Sequence, residues 1–305
     1  MNSPLVTVSS AFYNTGPALL DMVKSVFAQT FTDWELLLIN DGSTDESLAI
    51  AESVDDPRVR IYSNDRNRGR SFSLNRITEL ARGKYIARMD SDDLCSPTRI
   101  EKQVRLLESD SRLDAVSAGV IYLDKQDNPI GDMVTPKNHD EICRTPWRTI
   151  HVVHGALMAK RKFFQTYPYR EDLSLAVDFN LFLRSHAHSV FGNVQEPLYY
   201  YRLDNSFNLK KQYWARKFGA RFLFDYYRLH GSMSMAIRVA AYQYFKFAAT
   251  LALFASGQRN KLMAKRFNRL DEAKIEFYRN ELGRIKSVPL PLKSHTAEMA
   301  LEPRH

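Results

Sequence analysis

Alternating strand-like and helix-like segments fill the first ninety residues and limit the chain to a small set of folds. Short, continuous apolar runs occur at PLVTVSSAF (4–12) and WELLLIND (34–41). Such runs are typical of strands covered on both faces, as in a parallel sheet. Between them, ALLDMVKSVFAQT has apolar residues at helical spacing. Strand and helix in alternation predict an α/β sheet with right-handed crossovers.

Further elements follow the same pattern. A second helix is predicted at DESLAIAESV, with Ser43 or Thr44 as its N-cap, and another at CSPTRIEKQVRLLES, with Ser96 as cap and Pro97 in the first turn. A strand, a helix and a strand are predicted between them, at VRIYSN, SFSLNRITELAR and KYIARMD, and a further strand at AVSAGVIYLD. The segment SLAVDFNLFLRSH alternates like a strand, but its length and position favour a helix.

Composition fits a globular protein whose charge is unevenly distributed. The chain has 305 residues, 44% of them hydrophobic, which is enough for one large or two ordinary domains. From residue 206 onward there are 19 Lys and Arg against 7 Asp and Glu, whereas the preceding residues carry 24 against 28. This uneven charge suggests a catalytic body followed by a basic region that binds an anionic partner. Cys95 and Cys143 match no metal-binding or CxxC spacing and no secretory signal is recognisable, so a cytoplasmic protein with reduced thiols is predicted.

Polar side chains follow three of the predicted strands: Tyr13 and Asn14 the first, Asp41 the second, and the acidic segment 90–93 the fourth. Ligands of open parallel sheets bind outside the carboxyl ends of the strands, so these segments are expected to converge. Taken singly, DGSTD could be a turn and a helix cap, and the acidic segment a solvated loop. An Asp-x-Asp pair after a buried strand also suits Mg²⁺ or Mn²⁺ that is shared with substrate phosphates. The sequence lacks a P-loop, a dinucleotide fingerprint and a serine nucleophile elbow.

Four segments, in this order and spacing, resemble the inverting glycosyltransferases of family 2: VTVSSAFYN, WELLLINDGSTDES, NRGRSFSLNR and GKYIARMDSDD…SPTRIEKQ. The resemblance returns at HVVHGALMAKRKFF, DLSLAVDFNLFLR and PLYYYRLDNS, and it covers roughly residues 5–206. It implies a GT-A fold, a Rossmann-like, mostly parallel sheet flanked by helices, here with a C-terminal helical extension. We expect a catalytic domain at 1–206, a basic, aromatic-rich helical region at 207–286 and a flexible tail at 287–305.

The resemblance implies a site for a nucleotide-diphosphate sugar, with UDP as the expected nucleotide. Asp41 matches the aspartate that holds the nucleobase through its imide, and Ala11 and Tyr13 match the loop that flanks the base. Family members often have proline or threonine in place of Ala11, which could alter base contacts. Either Arg68 or Arg70 is expected to meet the nucleotide.

The acidic segment corresponds to the Asp-x-Asp motif of the family. The resemblance implies that Asp92 is the direct ligand of Mn²⁺ or Mg²⁺ and that Asp90 faces the donor ribose. Arg202 matches an arginine on a loop that can fold over the diphosphate. Asp93 is interpreted either as support for the motif or as part of a loop.

The acceptor side of the expected site carries the catalytic base. Asp178 matches the aspartate that removes the proton of the acceptor hydroxyl. The preceding residue is Val177, where the family usually has glutamate. The resemblance places His154 near the acceptor, although a packed or hydrogen-bonded histidine is the more ordinary interpretation of that position.

The basic region is predicted to be helical at KQYWARKFGARFLFDYYRLH, SMSMAIRVAAYQYFKFAATLALFASG and QRNKLMAKRFNRLDEAKIEFYRNELGRIK. The segment from Met233 to Phe254 has the length of a membrane span but contains Arg238 and Lys246. A charge at the bilayer centre costs at least about 2.5–3.5 kcal/mol, which favours an interfacial or packed helix. The region is thus expected to bind an anionic membrane surface, or to pack on the catalytic body or in a homodimer interface. Nucleic acid is not expected, because no recognised binding module accompanies the charge.

These features predict a metal-dependent, inverting glycosyltransferase of cell-surface polysaccharide synthesis, in the cytoplasm or on the inner face of the cell membrane. Its partners would be a nucleotide-sugar donor and a glycan or lipid-linked acceptor. Two alternatives remain. A nucleotidyltransferase should carry a Gly-rich loop with Arg or Lys after the first strand, which SSAFYNTGP is not. A sugar-nucleotide or membrane-binding protein that has lost catalysis is supported by Val177 alone.

Overall fold

The computed structural model describes residues 3–203, 209–256 and 267–293. The strands are β1 (Val6–Phe12), β2 (Trp34–Asn40), β3 (Val59–Ser63), β4 (Tyr85–Arg88), β5 (Leu94–Cys95), β6 (Leu113–Leu123), β7 (Pro129–Met133), β8 (Met158–Lys160) and β9 (Val190–Arg202). The helices are α1 (Ala18–Phe27), α2 (Ser47–Glu52), α3 (Arg70–Leu80), α4 (Arg99–Ser109), α5 (His139–Ile142), α6 (Arg161–Thr166), α7 (Val177–Ser185), α8 (Leu209–His230), α9 (Met233–Ala255) and α10 (Glu272–Lys286), with a 3-10 turn at His154–Ala156. The strands form one nine-stranded sheet of order β3-β2-β1-β4-β8-β6-β9-β5, and β7 pairs with β6.

The half of the sheet that contains β3, β2, β1 and β4 is parallel throughout, as the alternating pattern predicts. β1 lies between its neighbours, with Val6 opposite Trp34 of β2 and Tyr85 of β4. β2 is buried along its whole length, which explains its unbroken apolar run. Parallel pairing brings the carboxyl ends of β1, β2 and β4 to one rim, where the loops that follow them meet.

Two apolar cores lie on opposite faces of this sheet. Leu36 and Leu38 of β2 pack with residues of α1 and α4, whereas Leu37 and Ile39 pack with residues of α3, α6 and α7. Successive side chains of a strand point to opposite faces, so the sheet is covered by helices on both sides. The α/β prediction is confirmed, and so is the helix at SLAVDFNLFLRSH, which is α7.

The other half of the sheet is mixed. β8 pairs antiparallel with β4 and β6, and the long β9 runs parallel to β6 and antiparallel to β5. AVSAGVIYLD is confirmed as β6, whereas β5, β7, β8 and β9 have no counterpart among the predicted elements. Because Leu94 of β5 pairs with Tyr200, the end of β9 is brought beside the acidic segment.

The C-terminal helices pack on this body in two places. α8 and α9, joined by two residues, form a hairpin whose Phe222, Leu223 and Val239 are buried in the same core as Phe182 of α7. α10 packs elsewhere, where its buried residues share a small core with β5, β6 and β9. None of the helices in the described ranges is long and apolar enough to cross a membrane.

Two predicted helix caps are wrong. α2 and α4 both begin later than expected, and neither has a side-chain cap. The hydroxyls of Ser43 and Thr44 hydrogen-bond Asn14 instead, and Ser96 Oγ donates to Glu281 of α10 at 3.3 Å. In each case a long-range partner replaces the local one.

The C-terminal region also differs from expectation where it is described. The single basic helix expected before residue 287 is shorter, since residues 267–271 are not helical and Asp271 caps α10 by accepting from the N–H of Lys274 at 2.8 Å. Residues 287–293, expected to be part of a flexible tail, are packed: Leu292 forms a bridge with Val54. Residues 294–305 lie outside the described part.

Candidate active site

A cleft of ≈ 290 Å³ lies at the rim where β1, β2 and β4 end. It is lined by Ala11, Phe12, Tyr13, Asp41, Asn67, Arg70, Ser73, Asp90 and Ser91. Five of these were predicted to bind the donor: Ala11, Tyr13, Asp41, Arg70 and Asp90. The other predicted site residues, Asp92, His154, Asp178 and Arg202, do not line this cleft.

Asp41 closes one side of the cleft and is almost fully buried. Its Oδ1 accepts from Asn64 Nδ2 at 2.7 Å and from the N–H of Arg68 at 2.9 Å. Its Oδ2 accepts from the N–H of Gly69 at 2.9 Å. These three hydrogen bonds fix the loop that leads into α3 around the Asp41 carboxylate. A carboxylate offers about four acceptor positions, so one remains for a ligand N–H.

The loops after β1 and β2 are joined by hydrogen bonds, which fixes the mouth of the cleft. Asn14 donates its N–H to Ser43 Oγ at 3.1 Å, and Asn14 Oδ1 accepts from the N–H of Thr44 at 2.8 Å. Gly42 precedes them with a φ of +75°, and a Cβ there would lie 2.6 Å from the backbone of Arg66. This conformation and this close approach both require glycine.

Asp90 is held by two arginines. Arg88, buried at the end of β4, donates to Asp90 Oδ1 at 2.6 Å, and Arg70, at the start of α3, pairs with the same carboxylate. Burial alone would raise the pKa of Asp90, but the charges of Arg88 and Arg70 outweigh it and hold the pKa well below its usual range. Asp90 is therefore an anion that orients Arg70 in the cleft. Arg68 points elsewhere, since its guanidinium lies 4.3 Å from the ring centroid of Phe72.

Asp93 is buried and fixes the acidic segment from inside. Tyr199 Oη donates to Asp93 Oδ2 at 2.9 Å and accepts from the N–H of Asp90 at 3.0 Å. The N–H of Arg202 donates to Asp93 Oδ1 at 2.9 Å. Burial, followed by the charges of Asp90 and Asp92, raises the pKa of Asp93 well above its usual value. Of the two interpretations of Asp93, the supporting role matches these contacts.

Asp92 is the exposed member of the segment. No other described residue forms a hydrogen bond or an ion pair with its carboxylate. The pKa of Asp92 is raised, first because the surrounding protein limits its solvation and then because Asp90 is negatively charged. The charges of Arg70 and Arg202 lower this pKa, but more weakly. In the same ranges no group of three or more His, Cys, Asp or Glu could hold a metal ion. A single available carboxylate suits Mg²⁺ or Mn²⁺ whose other ligands come from substrate phosphates and water. It does not suit an ion whose ligands are all supplied by the protein.

The guanidinium of Arg202 is engaged in ion pairs. It donates to Asp21 at 2.6 Å and to Asp127 at 2.7 Å, and Lys286 of α10 pairs with the same Asp127. Its Nη1 donates to the backbone oxygen of Asp92 at 2.8 Å. Burial would lower the pKa of Arg202, but Asp127 and Asp21 outweigh it and raise the pKa above its usual value. In this arrangement Arg202 holds the acidic segment from outside.

His154 contacts Tyr169, and Asp178 is close enough for its charge to act on the same tyrosine. Asp178 is exposed in the first turn of α7, after Ala176, whose φ of +55° is left-handed. His154 Nε2 is 2.8 Å from Tyr169 Oη, and burial, then two arginine charges, lower the pKa of His154 well below its usual value. His154 is therefore a neutral, buried, hydrogen-bonded side chain. Val177 is buried in the core, so the glutamate that usually precedes the catalytic aspartate has no counterpart facing Asp178.

Three polar residues of the cleft were not singled out from the sequence: Asn67, Ser73 and Ser91. Ser91 Oγ is 2.8 Å from Thr15 Oγ1, which links the acidic segment to the loop after β1. Ser73 Oγ accepts from Asn64 Nδ2 at 2.9 Å. Asn67 could have been predicted from its position in NRGRS, and Ser91 from its position inside Asp-x-Asp. Nothing in the sequence distinguishes Ser73 from an ordinary helix residue.

The chain is similar to known glycosyltransferases in sequence and in fold. The family model described as Glycosyl transferase family 2 matches residues 7–167, which include every residue that lines the cleft. An uncharacterized glycosyltransferase of Methanocaldococcus jannaschii is 30% identical over 235 residues, 75% of this chain and 79% of that protein. A chondroitin synthase of Escherichia coli is 29% identical over 198 residues, 64% of this chain and 28% of the synthase.

Two solved structures share the architecture. S. aureus TarS 1–349 in complex with UDP-GlcNAc has a TM-score of 0.62 at 15% identity, covering 95% of this chain and 82% of that chain. The mannosyltransferase PcManGT from Pyrobaculum calidifontis, in complex with GDP-Man and Mn²⁺, has a TM-score of 0.55 at 16% identity, covering 99% and 89%. These likenesses confirm the GT-A fold. With the family match over more than half of its length, the chain belongs to glycosyltransferase family 2.

Proposed function

We propose that this glycosyltransferase is inverting and metal-assisted and moves a sugar from a UDP-sugar to a hydroxyl of a glycan or lipid-linked acceptor in cell-surface polysaccharide synthesis. The observation that carries the proposal is the meeting of Tyr13, Asp41, Arg70 and Asp90 in one cleft, next to the unengaged carboxylate of Asp92. Two similar proteins support the proposal: one relative is a chondroitin synthase, and one structural neighbour was solved in complex with UDP-GlcNAc.

The cleft suits the nucleotide part of such a donor. Its volume of ≈ 290 Å³ lies just below the range of about 300–1,000 Å³ that is usual for ligand sites, so a sugar would extend beyond it. Asp41 would accept the imide N–H of uracil at its remaining acceptor position. The ring of Tyr13, which is 46% exposed, is available to stack on the base. Arg70, whose side chain is half exposed, would meet the diphosphate.

Asp92 would hold Mn²⁺ or Mg²⁺ together with the diphosphate. When bound, the ion supplies neutralisation of the negative charge that develops on the leaving diphosphate. The chain contributes a carboxylate that is exposed and unengaged within the described residues, on a backbone fixed by Arg202 and Asp93. Such preorganisation lets the charge be stabilised without rearrangement of the segment.

Asp178 would act as the general base. Its carboxylate would accept the proton of the acceptor hydroxyl while that oxygen attacks the anomeric carbon from the face opposite the diphosphate. One displacement inverts the anomeric configuration. Because Val177 faces the core, Asp178 would act without a neighbouring acid, unlike the pair of carboxyls that flanks the bond in a hydrolase.

The base is tested by Asp178→Asn, which keeps the shape of the side chain and removes its basicity. We expect sugar transfer to fall by at least about 100-fold, while calorimetry shows unchanged affinity for the UDP-sugar in Mn²⁺. The matched control is Asp172→Asn, an exposed aspartate of the preceding loop that pairs with Arg170. Full transfer by Asp178→Asn would contradict the assignment.

The metal and the donor need separate measurements. A panel of sugar nucleotides with Mn²⁺ should identify the donor by thermal stabilisation, because a ligand that binds the folded state alone raises its stability. Chelator or Asp92→Ala should abolish transfer, and full activity in either would exclude the metal role. Donor binding without transfer to any acceptor would favour a binding protein, and release of a nucleotidyl product would favour a nucleotidyltransferase.

A further inference from the structure

In the α8–α9 hairpin, the outward side of α9 is apolar beyond Arg238. Of the fourteen large apolar or aromatic side chains that are exposed in the described part of the chain, nine lie on this hairpin. Between residues 239 and 255 of α9, all nine exposed residues are Ala, Leu, Phe or Tyr, over a length of about 25 Å. A helix that packs on the body with its other side in water normally shows polar residues to the solvent. A contiguous apolar surface of this kind marks an interaction site.

The same hairpin is strongly basic. Residues 209–255 contain eight Lys and Arg and one acidic residue, Asp225. A groove of ≈ 300 Å³ between the helices combines apolar, aromatic and cationic side chains, among them Trp214, Lys217, Phe218, Arg221, Phe224 and Tyr244. Lys217 Nζ lies 4.8 Å from the ring centroid of Trp214, so its stem covers apolar surface while its charge stays accessible.

Three further cations lie together where the hairpin meets the loop before the 3-10 turn. Arg216 donates to Gln243 at 3.2 Å, and Gln243 donates to the backbone oxygen of Trp147 at 3.4 Å. Burial, then the charges of Arg216 and Arg148, lowers the pKa of Lys246. Within the described ranges none of these three cations forms an ion pair, so their charge is available to an external anion.

We propose that the α8–α9 hairpin docks the protein on an anionic membrane surface. The apolar face of α9 would lie in the interface, and the cations of α8 and of the Arg148, Arg216 and Lys246 cluster would meet lipid phosphates. A second copy of the chain is the main competitor for the apolar face. A two-fold interface places the same patch on both subunits, so exposed cations such as Lys217 and Arg221 would be brought towards those of the second copy. An anionic bilayer buries the same apolar area and neutralises the charge.

The test is co-sedimentation of the full chain with vesicles of phosphatidylcholine, alone or mixed with phosphatidylglycerol, without sugar nucleotide. We expect binding to the mixed vesicles, little to the neutral ones, and release at high salt. Arg221→Glu should lower the partition coefficient by at least about fivefold. Phe245→Glu, at a side chain that is 69% exposed, should lower it about tenfold.

Matched controls are Phe277→Glu, at an exposed phenylalanine of α10, and Lys125→Glu, at an exposed lysine of the turn after β6. Both should bind vesicles like the wild type, and circular dichroism should show that all variants are folded. Wild-type protein that stays in the supernatant, or equal losses in Phe245→Glu and Phe277→Glu, would overturn the proposal. So would a dimer in sedimentation velocity that Phe245→Glu dissociates. Donor hydrolysis measured without vesicles reports on the cleft separately, so failure of docking and failure of the proposed transfer are distinguishable.

Discussion

Replacing Tyr199 with phenylalanine tests how the acidic segment is held together. The Tyr199 side chain is fully buried, and its hydroxyl both donates to Asp93 and accepts from the N–H of Asp90. The substitution removes these two hydrogen bonds and leaves the ring in place. Asp93 then keeps the hydrogen bond from the N–H of Arg202. A buried polar group left without its partner costs about 1–3 kcal/mol, so two such losses should lower the free energy of unfolding by about 2–6 kcal/mol.

The cost of Tyr199→Phe should depend on pH. The hydrogen bond from Tyr199 lowers the pKa of Asp93, against burial and the neighbouring charges that raise it. Without that bond, the pKa of Asp93 in the folded state moves further above the usual value of 3.8. A group whose pKa is raised on folding loses stability as the pH rises from its unfolded value through its folded value. The difference between wild type and variant should therefore stay constant while Asp93 is protonated in both folded proteins. It should widen once the pH rises through the folded-state pKa of Asp93 in the wild type, well above 3.8, because ionised Asp93 needs the donor most.

Urea denaturation at about pH 5 and pH 8 measures both effects. The matched control is Tyr200→Phe on the same strand, which loses a single hydrogen bond, to Glu281 at 2.6 Å, outside the acidic segment. It should cost about 1 kcal/mol. A loss for Tyr199→Phe no larger than that of the control, or a loss that shrinks at the higher pH, would refute the view that Tyr199 supports an ionisable Asp93.

Three further substitutions test other parts of the site, and a fourth, in α10, is a control for the first. Gly42→Ala should lower the free energy of unfolding by about 2 kcal/mol or more, since both the left-handed φ and the 2.6 Å backbone contact exclude a Cβ; Gly283→Ala, inside α10 with nothing within 4 Å, should raise it by about 0.5–1 kcal/mol in the same thermal-unfolding assay. Arg70→Ala should weaken binding of the UDP-sugar at least about tenfold in calorimetry, with less than about 1 kcal/mol lost in stability, because its pair with Asp90 is half exposed. Ala176→Gly should stabilise the protein by up to about 1 kcal/mol, since it relieves a left-handed alanine, and a lower unfolding temperature would contradict this.

The parallel half of the sheet could be predicted because its signals are local. All seven residues of β2 are buried, so its apolar run alone identifies it. β9 gives no such signal: its sequence VFGNVQEPLYYYR contains glycine and proline, its burial is irregular, and its register with β6 shifts twice around Gly119. β5 has two residues, too few for any pattern. These elements depend on pairing with distant segments, which periodicity does not encode.

The candidate site could likewise be predicted only in part. The sequence indicates which segments converge, since the strand ends before Tyr13, Asp41 and Asp90 are local features and five predicted residues share the cleft. It does not indicate how each side chain is engaged. Arg202 was expected to reach the diphosphate, but it pairs with Asp21, 181 positions away in the chain. Such partners are chosen by tertiary geometry, as they are for the hydroxyls that were taken for helix caps.

The acidic segment places three carboxylates of one short sequence in three electrostatic states. Asp90 keeps its charge because two arginines outweigh its burial. Asp93 is buried and fixed by hydrogen bonds from Tyr199 and from the N–H of Arg202. Asp92 is exposed and has neither kind of partner on another described residue. Its limited solvation beside the protein and the charge of Asp90 raise its pKa. The two arginines thus compensate the negative charge of Asp90. No described residue compensates the charge of Asp92 in this way, so its repulsion with Asp90 remains. In the proposed complex Asp92 would hold a divalent cation together with the donor diphosphate. The positive charge would relieve this repulsion, so part of the electrostatic cost of the free segment would return as affinity for the metal-bound donor.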